Sequence, residues 1–104
     1  MDREAFLRRV KALLAEAFGE RLQGVVLYGS EARGEAQPDS DIDLLVLLSD
    51  VADWGDDLEI IIETLYDLQL EVFRPISAHP VDYDAFTAGA CALYRNARKE
   101  GIRI

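Results

Sequence analysis

The chain of 104 residues contains one cysteine, one histidine and three prolines. A lone Cys91 excludes an intrachain disulfide and a zinc site built on several thiolates. The only histidine, His79, has no Cys, His or Asp at ligand spacing, so it reads as a structural or solvated loop residue, which argues against triad chemistry. No apolar run approaches the roughly 18 residues of a membrane span. The opening Met1-Asp2-Arg3-Glu4 starts a charged amphipathic stretch without the apolar core of a signal peptide. Positive charge is also scarce, with 11 Lys and Arg against 20 Asp and Glu and a net charge of −9. Such a surface repels a phosphate backbone, which excludes direct nucleic-acid binding as the default. The expectation is a soluble, cytoplasmic chain forming a single domain over residues 1–104 and making no use of a membrane.

The charge is unevenly placed. Residues 1–36 are neutral, and the whole excess lies in 37–104. No Lys or Arg stands between Arg33 and Arg74, while eleven acids fall from Asp39 to Glu71. Part of that run reads as solvated helix face. The rest suits two tasks, holding divalent cations and meeting a basic partner.

Periodicity supplies the elements. Phe6, Val10, Leu13, Leu14, Ala17 and Phe18 recur at helical spacing, with Asp2 as cap and Gly19 as stop. Residues 24–28 read as a buried strand. Gly29-Ser30 turns the chain into a short helical piece around Glu31-Ala32-Arg33, closed by Gly34. Asp41 to Leu48 is a second strand, apolar on both faces at its centre and therefore central. Asp53 caps a helix whose apolar face is Trp54, Leu58, Ile61, Ile62, Leu65 and Leu68; the pattern leaves open whether Trp54 is core or contact surface. Val72 to Ala78 reads as a third strand, with Pro75 indicating a bulge or an edge. A last helix carries Phe86, Ala90, Leu93, Tyr94 and Ala97, with Cys91 among its small buried residues, and Gly101 ends it. The order α-β-α-β-α-β-α predicts an α/β (α+β) fold, a small mixed sheet with helices packed on it.

The chemistry concentrates between Gly29 and Asp43. Residues i and i+2 of a strand share a face, so Asp41 and Asp43 project together with Ile42 opposite. Two adjacent carboxylates repel unless a cation lies between them. No basic residue is near in sequence, and Mg²⁺ held by carboxylates, waters and substrate phosphates satisfies the pair. Two such ions bracket a phosphorus centre in an in-line displacement. Gly29 admits close approach of a ligand to the backbone, and the Ser30 hydroxyl is a donor to a phosphate oxygen. Neither a Walker loop nor a dinucleotide fingerprint is present.

The stretch from Leu27-Tyr28-Gly29-Ser30-Glu31-Ala32-Arg33-Gly34 to Ser40-Asp41-Ile42-Asp43-Leu44-Leu45-Val46 resembles the signature of the DNA polymerase β-like nucleotidyltransferase superfamily: Gly-Ser, ten residues, then Asp-x-Asp. Its details look most like the minimal nucleotidyltransferase branch, whose members are antitoxin-type partners of HEPN-domain proteins. Arg95-Asn96 followed by Glu100-Gly101 is similar to the tail of that branch. The resemblance implies the polymerase β-like fold, ATP as substrate held at Gly29 and Ser30, and Mg²⁺ held by Asp41 and Asp43. It also implies a third carboxylate on the next strand, which helps bind metal and activates the attacking hydroxyl. The candidate is Glu71, which reads either as that residue or as the last residue of the preceding helix. Arg33 reads either as a phosphate ligand or as an ion-pair partner of nearby acids. The implied reaction is AMP transfer to a tyrosine of a HEPN-type partner in a hetero-oligomer. A catalytically weak acidic module that masks a ribonuclease directly is the alternative.

Overall fold

In a computed structural model, which describes residues 2–104, the chain is α+β with a four-stranded mixed sheet. The order is α1 (Arg3–Phe18), a 3₁₀ turn (Gly19–Arg21), β1 (Leu22–Tyr28), β2 (Ile42–Leu48), α2 (Trp54–Glu71), β3 (Ile76–Asp82), α3 (Tyr83–Ala88), α4 (Ala92–Glu100) and β4 (Ile102–Arg103). The strands lie in the order β3-β2-β1-β4. β1 runs antiparallel to β2 and to β4, while β2 and β3 are parallel and α2 is their crossover.

β2 is covered on both faces, as its continuous apolar run requires. Ile42, Leu44, Val46 and Leu48 pack with α1 and α2 in the larger core, which includes Val10, Leu14, Ile61 and Leu65. Leu45 and Leu47 pack on the opposite face with Val26, Val81, Phe86 and Ala97. The two caps expected from composition form: the Asp2 carboxylate accepts from the amides of Glu4 and Ala5, and that of Asp53 from the amide of Asp56.

Four elements differ from the sequence reading. Residues 29–34 are hydrogen-bonded turns, with Arg33 N–H donating to Gly29 O and Glu35 N–H to Ser30 O; the stretch between its two glycines is too short to propagate a helix. The third strand begins at Ile76 rather than Val72, because α2 runs on to Glu71. Pro75 therefore lies just ahead of the strand rather than inside it, and the proline within the strand, Pro80, is accommodated because β3 is an edge strand. The last helix is broken at Gly89, which adopts a left-handed conformation (φ 65°), and Cys91 is left exposed ahead of α4 rather than buried in a helix. The extra strand β4 returns along β1 because α4 ends in close backbone contact: a Cβ on Gly101 would lie 2.4 Å from Ala97 O and 2.6 Å from Val26 Cγ1.

One buried ion pair ties the layers. Asp57 is buried in the first turn of α2 and accepts two bonds from Arg21, at 3.0 and 2.8 Å. Arg21 also donates to the carbonyls of Ser49 and Asp50, so it joins the end of β2 to α2. Asp57→Ala strips the guanidinium of its main acceptor, and urea denaturation is expected to register a loss of about 1–3 kcal/mol. A loss within a few tenths of a kcal/mol would mean that solvent replaces the pair at no cost.

Candidate active site

The sheet face that holds Leu45 and Leu47 is covered by α3 and α4 over only part of its length. Tyr28, Asp43 and Ser77 share that face side by side, since Asp43 is paired with Tyr28 on β1 and with Ser77 on β3, and Tyr28 packs against the edge of the smaller core. Asp41 is exposed one residue ahead of β2, whose first amide, that of Ile42, donates to Pro75 O. Asp43 is half-buried, and burial first and the Asp41 charge second push its carboxyl above the ordinary carboxylate range, with His79 opposing in part. Burial and the Asp43 charge likewise raise the Tyr28 phenol. Among the described residues no Lys or Arg forms an ion pair with either aspartate.

Gly29 closes the site from the β1 side. Its φ is 76°, and a Cβ there would come within 2.6 Å of Asp43 Oδ2. Both the backbone conformation and the carboxylate therefore exclude a side chain. Gly29→Ala is expected to cost at least about 1 kcal/mol from the left-handed backbone alone, and to turn the Asp43 carboxylate away from its present position. Thermal melts measure the first effect. The chemical shift of the Asp43 carboxyl carbon measures the second, and an unmoved resonance would detach Gly29 from Asp43.

Two predicted site residues do not join the aspartates. Glu71 ends α2 on the other side of the sheet, where it accepts from both terminal nitrogens of Arg9, at 3.0 and 2.7 Å. Those hydrogen bonds, with the Arg9 charge, hold its carboxyl below the usual range. Of the two readings offered by the sequence, the structure gives the helix end. Arg33 turns to acids: its Nε donates to Glu35 Oε2 at 3.3 Å, and Nη1 lies 3.9 Å from Glu100 Oε2. Ser30 follows Gly29 in the turn, half-buried.

Three residues enter the neighbourhood that the sequence reading had not assigned to the site. His79 is on β3, not in a loop, with Ser77 Oγ 3.1 Å from its Nε2 and the Trp54 ring stacked at a centroid distance of 6.4 Å. Ser77 and His79 share the Asp43 face through the parallel register, so they occupy the position where a third-strand acid was sought. Arg74 is the third. Its Nε donates to Ser40 O at 2.8 Å and its Nη1 to Glu31 Oε2 at 3.2 Å, which straps together the two ends of the loop between Gly29 and Asp41. Only knowledge of where α2 ends could have placed Arg74 there. Arg74→Ala leaves the Glu31 carboxylate, only 16% exposed, without its cation. A loss of about 2–3 kcal/mol is expected in chemical denaturation; retention of full stability would show the strap to be dispensable.

Whether these residues fit a divalent cation turns on their donor set. Among the described residues no group of three or more His, Cys, Asp or Glu is arranged to hold a metal. Two carboxylates that no Lys or Arg among the described residues pairs with, one of them against the bare backbone of Gly29, do fit Mg²⁺, which takes one or two protein carboxylates and completes its shell with water and phosphate oxygens. They do not make a closed structural site.

Comparison with known proteins agrees with this architecture. The nucleotidyltransferase domain model matches residues 7–92. A search of curated proteins finds no match. The chain is similar to the crystal structure of a mutant form of the toxin–antitoxin pair MntA-HpeT, with TM-score 0.63 and 20% identity, covering 93% of this chain and 69% of that one. It is similar to a toxin–antitoxin structure with AMP-PNP, with TM-score 0.63 and 21% identity, covering 92% and 69%. It also resembles a structure named as a minimal nucleotidyltransferase, with TM-score 0.60 and 27% identity, covering all of this chain and 97% of that one. The first two likenesses establish a shared fold. Because the family match runs from within α1 to the start of α4 and takes in both the Gly29-Ser30 turn and the Asp41-Ile42-Asp43 strand, the chain belongs to the nucleotidyltransferase domain family.

Proposed function

We propose that this chain transfers AMP from ATP to a hydroxyl of a partner protein, a tyrosine of a HEPN-type toxin, and acts as its antitoxin. The observation that carries the reading is the Asp41–Asp43 pair, which no Lys or Arg among the described residues neutralises, with Asp43 seated in the space left by the missing Gly29 Cβ. Bound Mg²⁺ supplies neutralisation of the triphosphate and of the charge that develops at the α-phosphorus. Asp41 and Asp43 would hold it, leaving positions in its shell for phosphate oxygens and water. The Gly29 backbone and the Ser30 hydroxyl orient the triphosphate. The acceptor hydroxyl gives up its proton to solvent, its oxygen bonds to the α-phosphorus, the bond from that phosphorus to the bridging oxygen breaks, and pyrophosphate leaves. A separate partner supplies the acceptor, and the toxin–antitoxin neighbours support its being a toxin.

A second reading has its own support. Glu71 is committed to Arg9, and the third-strand position beside Asp43 holds Ser77, which has no charge to offer. In that reading the site binds nucleotide and turns over weakly, and the acidic chain silences the toxin by direct contact. One experiment separates the two. Incubation with α-labelled ATP, Mg²⁺ and the HEPN-type partner is expected to place label on the partner, with pyrophosphate released in equal amount. An unlabelled partner that is nevertheless inhibited would favour direct masking.

A further inference from the structure

α2 carries more apolar surface than the sheet can cover. Its buried stripe, Ile61, Leu65 and Leu68 with Asp57, faces the core. A second row runs beside it at a strict four-residue spacing: Trp54, Leu58, Ile62, Tyr66 and Leu70. Four of these are solvent-exposed large side chains, Trp54 at 50%, Ile62 and Tyr66 each at 58% and Leu70 at 69%. Residues spaced by four form a ridge on a helix, and ridges of this kind interlock with those of a second helix. This one extends for roughly 24 Å at 1.5 Å per residue. On its inner side lies a groove of about 110 Å³ between α2 and the edge strand β3, floored by Ile76 and Ala78. On its outer side runs a second four-residue row, Glu59, Glu63, Asp67 and Glu71. The first three form no ion pair among the described residues, and α2 contains no Lys or Arg.

We infer that this double ridge is the docking surface for the partner, and that it receives an amphipathic helix whose apolar row is flanked by Lys or Arg. Apolar area provides the attraction and the acid row selects the sign of the partner. An antiparallel second copy of this chain is disfavoured as occupant, because pairing α2 with α2 in that sense would set one acid row against another. The surface includes neither Asp41 nor Asp43. The inference rests on the reading above only in taking the partner to be a separate protein.

The test titrates isotopically labelled full chain with a designed helix bearing leucine at four-residue spacing and arginine on both flanks. A control peptide has every arginine replaced by glutamate. The arginine peptide is expected to shift amides of α2 and β3, to weaken about tenfold as salt is raised through the physiological range, and to be lost in the Ile62→Asp Tyr66→Asp variant. Both substituted side chains are largely exposed, so the core is untouched. The control peptide is expected not to bind. Equal binding of both peptides, shifts centred on the Asp43 face, or no binding overturns the inference. So does a free protein that sediments as a dimer split by Ile62→Asp, which would make a second copy the occupant. Mg²⁺-ATP titrated into the same sample reports on the other reading: peptide binding without nucleotide binding leaves the docking surface standing and removes the transferase, and the reverse result does the opposite.

Discussion

Replacing both Asp41 and Asp43 with asparagine is expected to abolish AMP transfer, by roughly a thousandfold or more, while the metal-free protein melts at a higher temperature than the parent. The first effect follows from the proposed role of the two carboxylates, which would hold the cation that neutralises the phosphates. The second follows from linkage. The Asp43 carboxyl is raised by burial and by Asp41, so its ionised form is a cost to the folded state. That cost is complete above the raised pKa, lifts as pH falls through it, and is gone below the ordinary carboxylate value. The parent without metal should therefore gain stability as pH falls across that window, and the double variant should have lost most of this dependence. Amide retains the shape of carboxylate, so packing is preserved. Calorimetric melts at several pH values, together with the labelled-ATP assay, check both parts. Residual transfer within tenfold of the parent would remove the two aspartates from the chemistry. A lower melting temperature would make them structural residues.

Ser77→Asp is expected to raise the transfer rate by roughly 10–100-fold. Ser77 is the register partner of Asp43 on the neighbouring parallel strand and shares its face, so a carboxylate there joins the existing pair without a change of backbone. It supplies the acid that Glu71, bound to Arg9 at the far side of the sheet, cannot. It also adds a third like charge, so the metal-free variant should be less stable than the parent and recover on adding Mg²⁺. Single-turnover assays and melts with and without Mg²⁺ read these effects. A variant with unchanged rate and no metal-dependent recovery would mean that position 77 does not reach the reacting groups.

Much of the fold was legible because its signals are local. The core face of α1, the caps at Asp2 and Asp53 and the double-sided apolar run of β2 each depend on residues within a few positions of one another. The Asp-Ile-Asp alternation and the Gly29 turn belong to the same class. What could not be read depends on contacts between distant segments. The boundary between α2 and β3 was misplaced because Leu70 to Phe73 are apolar enough for either, and it is Ile42 N–H donating to Pro75 O and Gln69 bonding Ile76 and the Arg74 carbonyl that set the strand's start. That shift alone decides the fate of Glu71, His79 and Arg74. β4 was missed because two residues have no periodicity, and only their pairing with Val26 and Leu27 defines them. The broad apolar face assigned to α2 resolves into two, since an exposed Ile62 and a buried Ile61 are indistinguishable in composition.

β2 is an interior strand, bonded to β1 on one side and β3 on the other, with an apolar layer above and below. Its amides can exchange with solvent only when the whole molecule opens, whereas β4, two residues long at the sheet's margin, can detach alone. Asp43 is thus anchored to the slowest-opening backbone in the chain. Heating or mild denaturant should fray the periphery well before it displaces Asp43.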